Sequence, residues 1–137
     1  MRILVTRMIP QKGLDILSEG NDLEVWEGDG PIPREMLLEK VKGKEALLCL
    51  LSDRIDAEVM DAGDELKVIA NYAVGFDNID VQQATRRGIP VINTPGVLTD
   101  ATADLAFALV LASARRISEG DRYIRDGRFI TWGPRLM

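Results

Sequence analysis

The chain has 137 residues, enough for one domain of ordinary size that buries roughly 68% of the surface its unfolded form exposes. Its single cysteine, Cys49, excludes an intrachain disulfide and fits a reducing compartment, while 22 acidic against 17 basic residues, interspersed and without a basic aromatic stripe, exclude nucleic acid as the expected partner. The apolar run before Thr6 is too short for a signal-peptide core, and "LAFALVLASA" at 105–114 falls well short of the roughly 20 residues of a membrane span, so a cytoplasmic protein with no membrane partner is expected.

Short aliphatic or β-branched runs recur at 3–6, 23–26, 46–51, 68–70 and 89–92, with helical patterns between them. They read as continuous apolar strands rather than alternating ones, as strands do when helices cover both faces of a parallel sheet. Pro10 and Pro33 are expected as first helical residues, each followed by leucines or valine at helical spacing. Asp56 is expected to cap the helix of "AEVMDAG". Asp80 and Gln83 form a capping-box pattern opening "VQQATRRG", and Gly88 closes that helix. The fold class is therefore α/β: a doubly wound, parallel five-stranded sheet in the order 2-1-3-4-5.

After the turn signal "NTPG" at 93–96 the pattern changes. Residues 99–126 read as one long helix, on the order of 40 Å, with Gly120 as its weak point. Its first half is apolar almost all round, so it needs cover on two sides. One sheet and its helices offer a single surface. A second domain or a second copy of the chain is expected to supply the other.

Ligands of an open parallel sheet bind beyond the carboxyl ends of the strands. Here those ends read "TRMIP", "EGDGP", "SDRID", "NYAVGFDN" and "NTPG". Gly28-Asp29-Gly30 superficially begins a dinucleotide fingerprint, but Pro33 holds the third glycine place and the segment follows the second strand, so a plain Pro/Gly loop is the better reading. In "AVGFDN", Gly75 either lets backbone N–H groups approach an anion or supplies an awkward φ in a turn tied by Asp77, Asn78 and Asp80. Ser52 and Arg54 offer a hydroxyl and a cation, though Arg54 reads as a solvated surface charge. Asp53 invites comparison with a phosphoaccepting aspartate, but the acidic pair and the lysine that chemistry needs are missing from "TRMIP" and "NTPG". Cys49, inside "ALLCLL", reads as a small buried hydrophobe. No metal-ligand set stands out.

Taken together, "NYAVGFDNIDVQQATRRGIPVINTPGVLTDATADLAFALVLASARR", with "ILVTRMIP" before it and "TWGPRLM" after it, resembles the substrate lobe and hinge of NAD(P)-dependent D-2-hydroxyacid dehydrogenases, most closely the glyoxylate/hydroxypyruvate reductases. The resemblance implies a flavodoxin-like substrate-binding lobe at 1–96 and, at 97–137, a hinge helix leading into a Rossmann coenzyme lobe. It implies that main-chain donors at Val74 and Gly75 hold a substrate carboxylate, and that Leu51 and Ser52 line the same pocket. Thr102 would lie beside the coenzyme, NAD or NADP, and Trp132 would reach the partner subunit of a homodimer formed through the hinge-helix region. The substrate would be a small 2-oxo or 2-hydroxy acid.

The family's glycine-rich coenzyme loop and its catalytic arginine, glutamate and histidine have no counterpart here. The sequence contains no histidine at all. The resemblance therefore implies the N-terminal part of an oxidoreductase, inactive in isolation, with no catalytic residue in this chain. A free-standing, non-catalytic oligomeric or interaction module built from the same lobe is the alternative.

Overall fold

A computed structural model describes residues 1–134. The chain divides into two compact units, Met1–Gly96 and the residues from Val97 onward. In the first unit the elements alternate as β1 (Arg2–Val5), α1 (Gln11–Ser18), β2 (Asp22–Val25), α2 (Arg34–Lys40), β3 (Ala46–Cys49), α3 (Ala57–Ala62), β4 (Val68–Asn71), α4 (Val81–Arg86) and β5 (Val91–Ile92). The five strands are parallel and ordered β2-β1-β3-β4-β5, as the sequence pattern requires.

Successive strand residues point to opposite faces, and the core divides accordingly. Leu4, Leu47, Cys49 and Ile69 join Leu37, Val59, Met60 and Ala84 of α2, α3 and α4 in one cluster. Ile3, Val5 and Ala46 join Ile9 and Leu14 of the α1 region in the other. Burying each large aliphatic side chain contributes about 1.5–3 kcal/mol, so these two layers carry the fold.

Local boundaries follow from local chemistry. Asp56 accepts from Val59 N at 3.4 Å, and Asp80 from Gln83 N at 3.0 Å, as the capping patterns predict. The reciprocal half of the capping box is not made. Asp80 N donates to Ile55 O at 2.9 Å, and the Gln83 side chain instead accepts from Arg87 Nη1 at 2.7 Å. Pro10 and Pro33 are N-caps with ψ of 137° and 145°, one residue outside the helices they introduce. β5 is shorter than expected because Pro90 has no N–H and can only accept, from Ile69 N at 3.0 Å. β3 stops at Cys49, because Asp53 N turns back onto Leu50 O at 3.0 Å.

The second unit corrects the expectation of one long helix. It holds two, α5 (Thr99–Ala114) and α6 (Ile117–Arg125). The break falls at Arg116, which takes the left-handed conformation at φ 52°, ψ 36°, while Gly120 sits inside α6. A left-handed non-glycine residue costs about 1–2 kcal/mol. Two hydrogen bonds from the Arg116 guanidinium to Glu119, at 2.6 and 2.8 Å, offset part of it. No side chain of α5 is buried, and no helix among the described residues is long and apolar enough to cross a membrane.

Candidate anion site at the strand ends

β4 ends on a buried asparagine. Asn71 donates from Nδ2 to Gly75 O at 2.9 Å and to Asn78 Oδ1 at 2.9 Å, curling residues 71–78 into a closed loop. Neighbouring carbonyls are tied down as well. Ala73 O accepts from Thr94 N and Thr94 Oγ1, both at 3.0 Å, and Val74 O accepts from Asn93 Nδ2 at 2.7 Å. Three consecutive carbonyls thus face protein donors. The N–H groups of Val74 and Gly75 have no acceptor among the described residues, and both residues are exposed. A loop with occupied acceptors and open donors suits an anion.

Gly75 does not serve an unusual φ, which corrects one of its two sequence readings: the glycines with positive φ among the described residues are 20, 43, 88, 96 and 127. A Cβ there would meet nothing closer than Asp77 Oδ2 at 3.7 Å. The rest of that reading holds, since Asn78 and Asp80 do bond backbone groups.

The β3 loop is fixed to the β4 loop by Asn78, whose Nδ2 donates to Leu50 O at 3.1 Å and Asp53 O at 3.0 Å. Asp53 is buried, accepting from Leu50 N at 2.8 Å and from the hydroxyl of Thr6, which directly follows β1. It organises the loop rather than receiving a phosphoryl group. Ser52 Oγ accepts from Arg7 Nη2 at 3.0 Å and donates to Asp53 Oδ1 at 3.2 Å. Leu51 is 72% exposed at the loop's tip. Leu51, Ser52, Val74 and Gly75 therefore share the carboxyl edge of the sheet on the adjacent strands β3 and β4. Thr102, in the first turn of α5, and Trp132, beyond α6 and 77% exposed, belong to the second unit. The end of "TWGPRLM", residues 135–137, lies outside the described residues.

Asn78 bonds the backbone, as one sequence reading has it, whereas Arg7, Asn71 as the partner of Asn78, and Asn93 with Thr94 escaped that reading. For Asn71, Asn93 and Thr94 the signal was an asparagine ending, or a turn-forming polar pair following, an apolar strand run. Cys49 is buried as expected, and burial together with the nearby Asp53 carboxylate pushes its thiol up to about 12, leaving it inert. Arg54 is exposed as expected. The Gly28 loop folds over Trp26: a Cβ on Gly28 would sit 2.6 Å from the indole, whose Nε1 donates to Gly30 O at 3.2 Å. It offers no cradle for a dinucleotide, and the described residues do not fit a nicotinamide coenzyme on their own.

A parallel five-stranded sheet in the order β2-β1-β3-β4-β5 defines the doubly wound α/β class. The family profile "D-isomer specific 2-hydroxyacid dehydrogenase, catalytic domain" matches residues 3–131, and the chain belongs to that family. It is similar to the glyoxylate reductase of Thermococcus kodakarensis, 54% identical over 138 residues, covering 98% of this chain and 41% of that protein. The crystal structure of the TT0316 protein from Thermus thermophilus matches with a TM-score of 0.92 at 53% identity, covering 99% of this chain and 44% of the other. An NAD+-bound 3-phosphoglycerate dehydrogenase from Entamoeba histolytica matches with a TM-score of 0.69 at 26% identity, over 82% of this chain and 38% of the other. The chain thus spans about two-fifths of the length of the curated relatives it matches.

Proposed function

We propose that this chain is the substrate-holding part of an NAD(P)-dependent oxidoreductase that reduces glyoxylate or a related 2-oxo acid to the D-2-hydroxy acid. The observation that carries the reading is the loop 73–75, whose carbonyls are engaged and whose Val74 and Gly75 N–H groups are open. Two adjacent N–H donors match one carboxylate, and charge-assisted hydrogen bonds of this kind are about twice as strong as neutral ones. The Leu51–Ser52 loop lines the same pocket. In this reading Leu51 is an apolar wall and Val74–Gly75 the carboxylate anchor.

The remaining roles follow from the family resemblance. Thr102 sits beside the coenzyme, Trp132 reaches toward a partner subunit, and the hinge-helix region forms the homodimer contact. Hydride and proton donors come from outside these 137 residues, which contain no histidine, so the chain alone turns over no substrate. The glyoxylate reductase name of the relatives supports the substrate class.

The test is a chimera in which residues 1–137 replace the matching segment of the Thermococcus kodakarensis glyoxylate reductase. Glyoxylate-dependent oxidation of NADH or NADPH by the chimera, and none by the 137-residue chain, is the expected result. A folded chimera that oxidises neither coenzyme with glyoxylate would overturn the proposal.

A further inference from the structure

Among the loops that follow the five strands, only two carry a cation: Arg7 after β1 and Arg54 after β3. The Arg54 side chain is 83% exposed and lies 3.2 Å from Asp56 Oδ2. Arg7 differs in each respect. It is half-buried, its Nη2 donates to Ser52 Oγ at 3.0 Å, and no carboxylate lies within 4.0 Å of it among the described residues. Its Nε is buried without an acceptor. Folded proteins keep few such orphaned groups, and each calls for a physical explanation.

We propose that Arg7 is the charge-bearing contact that this lobe contributes to the substrate site, attracting the anionic 2-oxo acid while Val74 and Gly75 bond its carboxylate. The proposal rests on the reading of residues 73–75 given above. β1 adjoins β3 and β3 adjoins β4, so Arg7, Ser52 and Gly75 come from three successive strands. Neighbouring strands lie about 4.8 Å apart. A guanidinium already extended to the loop of the middle strand is within interaction range of an anion seated at the third, since salt largely screens charges only beyond about 8–10 Å.

Ser52 strengthens the case. Its hydroxyl has one proton, and with Arg7 donating to the oxygen that proton points to Asp53 Oδ1 at 3.2 Å. The Ser52 side chain therefore has no proton to offer a substrate. Asp53 in turn is occupied by the Ser52 and Thr6 hydroxyls and by Leu50 N, not by Arg7. Charge, rather than a hydroxyl hydrogen bond, is what this edge of the pocket contributes. The competing account is mechanical: Arg7 merely props Ser52 and its loop.

Oxamate, a non-reacting 2-oxo acid mimic, and oxamide, its neutral counterpart, separate the two accounts. The 137-residue chain, R7Q and R7K are titrated with each compound while the amide NMR signals of Val74 and Gly75 and the Nε–H signal of Arg7 are followed. R7Q is expected to weaken oxamate binding about tenfold or more. Oxamide binding is expected to hold within about twofold, and R7K, which keeps the charge but loses the guanidinium hydrogen bond to Ser52, to retain most of the oxamate affinity. Equal losses for both compounds, or no loss of oxamate affinity in R7Q, would overturn the proposal. In the unsubstituted chain, a shift at Arg7 without one at Val74 and Gly75 would overturn the carboxylate loop alone; no shift at either place would overturn both.

Discussion

The side-chain amide of Asn78 reaches 28 residues back along the chain to donate to the main-chain oxygen of Leu50 at 3.1 Å. With its second proton on Asp53 O at 3.0 Å, it ties the β3 loop to the β4 loop, so both walls of the candidate pocket move as one body. Asn78→Ala leaves two partly buried carbonyls without this donor and Asn71 without an acceptor at Asn78 Oδ1. Leaving such groups unsatisfied costs about 1–3 kcal/mol, which urea denaturation resolves. Asn78→Asp keeps the volume but turns an oxygen toward two carbonyl oxygens, and should be no better. An alanine variant as stable as the parent chain would show that the two loops are held by something else.

Two glycines make opposite predictions. At Gly75 an added Cβ meets no protein atom within 3.4 Å and needs no positive φ, so Gly75→Ala should change stability by less than about 0.5 kcal/mol. It should nevertheless weaken oxamate binding, because a methyl group beside the open N–H keeps an anion at a distance. At Gly63 the Cβ would fall 2.7 Å from Leu66 Cδ1 and 2.9 Å from Val41 Cγ2. Gly63→Ala should cost about 1–3 kcal/mol through overpacking of the core. Thermal melts and titrations of both variants check the pair; a destabilised Gly75→Ala would return that glycine to an ordinary structural role.

The sheet was legible in the sequence because strands buried on both faces leave uninterrupted apolar runs, and 46–49 or 68–70 cannot be hidden by context. The caps at Asp56 and Asp80 were legible because a short side chain capping the first turn acts locally. The break at Arg116 was not. No glycine or proline marks it, and its stabilisation comes from an Arg116–Glu119 pair whose spacing also suits an unbroken helix. The site was half legible. Gly75 marked the loop, but which of its atoms are open depends on Asn71, Asn93 and Thr94, whose partners lie up to 21 residues away. Arg7 escaped because an isolated arginine in a sequence does not reveal that its Nε is buried.

Part of the acid response should come from the sheet's amino edge. Lys67 Nζ donates to Glu45 at 2.5 Å, the Arg2 backbone N–H donates to the other carboxylate oxygen at 3.0 Å, and together they pull Glu45 from its ordinary 4.5 down to about 2. A carboxylate with a depressed folded-state pKa stabilises the fold above its unfolded value and loses that contribution as the pH falls toward its folded one. The contribution is therefore complete above pH 4.5 and fades between 4.5 and about 2. Urea midpoints measured across that window should fall less steeply for Glu45→Gln than for the parent chain. Parallel slopes would remove Glu45 from the acid response.

Large apolar side chains stand exposed along α5. Leu105, Phe107, Leu109, Val110 and Leu111 are each 59% exposed or more, and they fall on every side of the helix. Covering a handful of them at about 1.5–3 kcal/mol each exceeds the cost of bringing two chains together by the lower estimates of that cost. The 137-residue chain should therefore dimerise or aggregate, and light scattering over a concentration series should show mass rising above that of one chain. Replacing Phe107 and Leu111 with glutamine should lower the association without unfolding the sheet, since neither residue belongs to its core clusters. A parent chain that stays monomeric at high concentration would mean that α5 needs no partner copy, and the proposed homodimer contact through the hinge-helix region would fall with it.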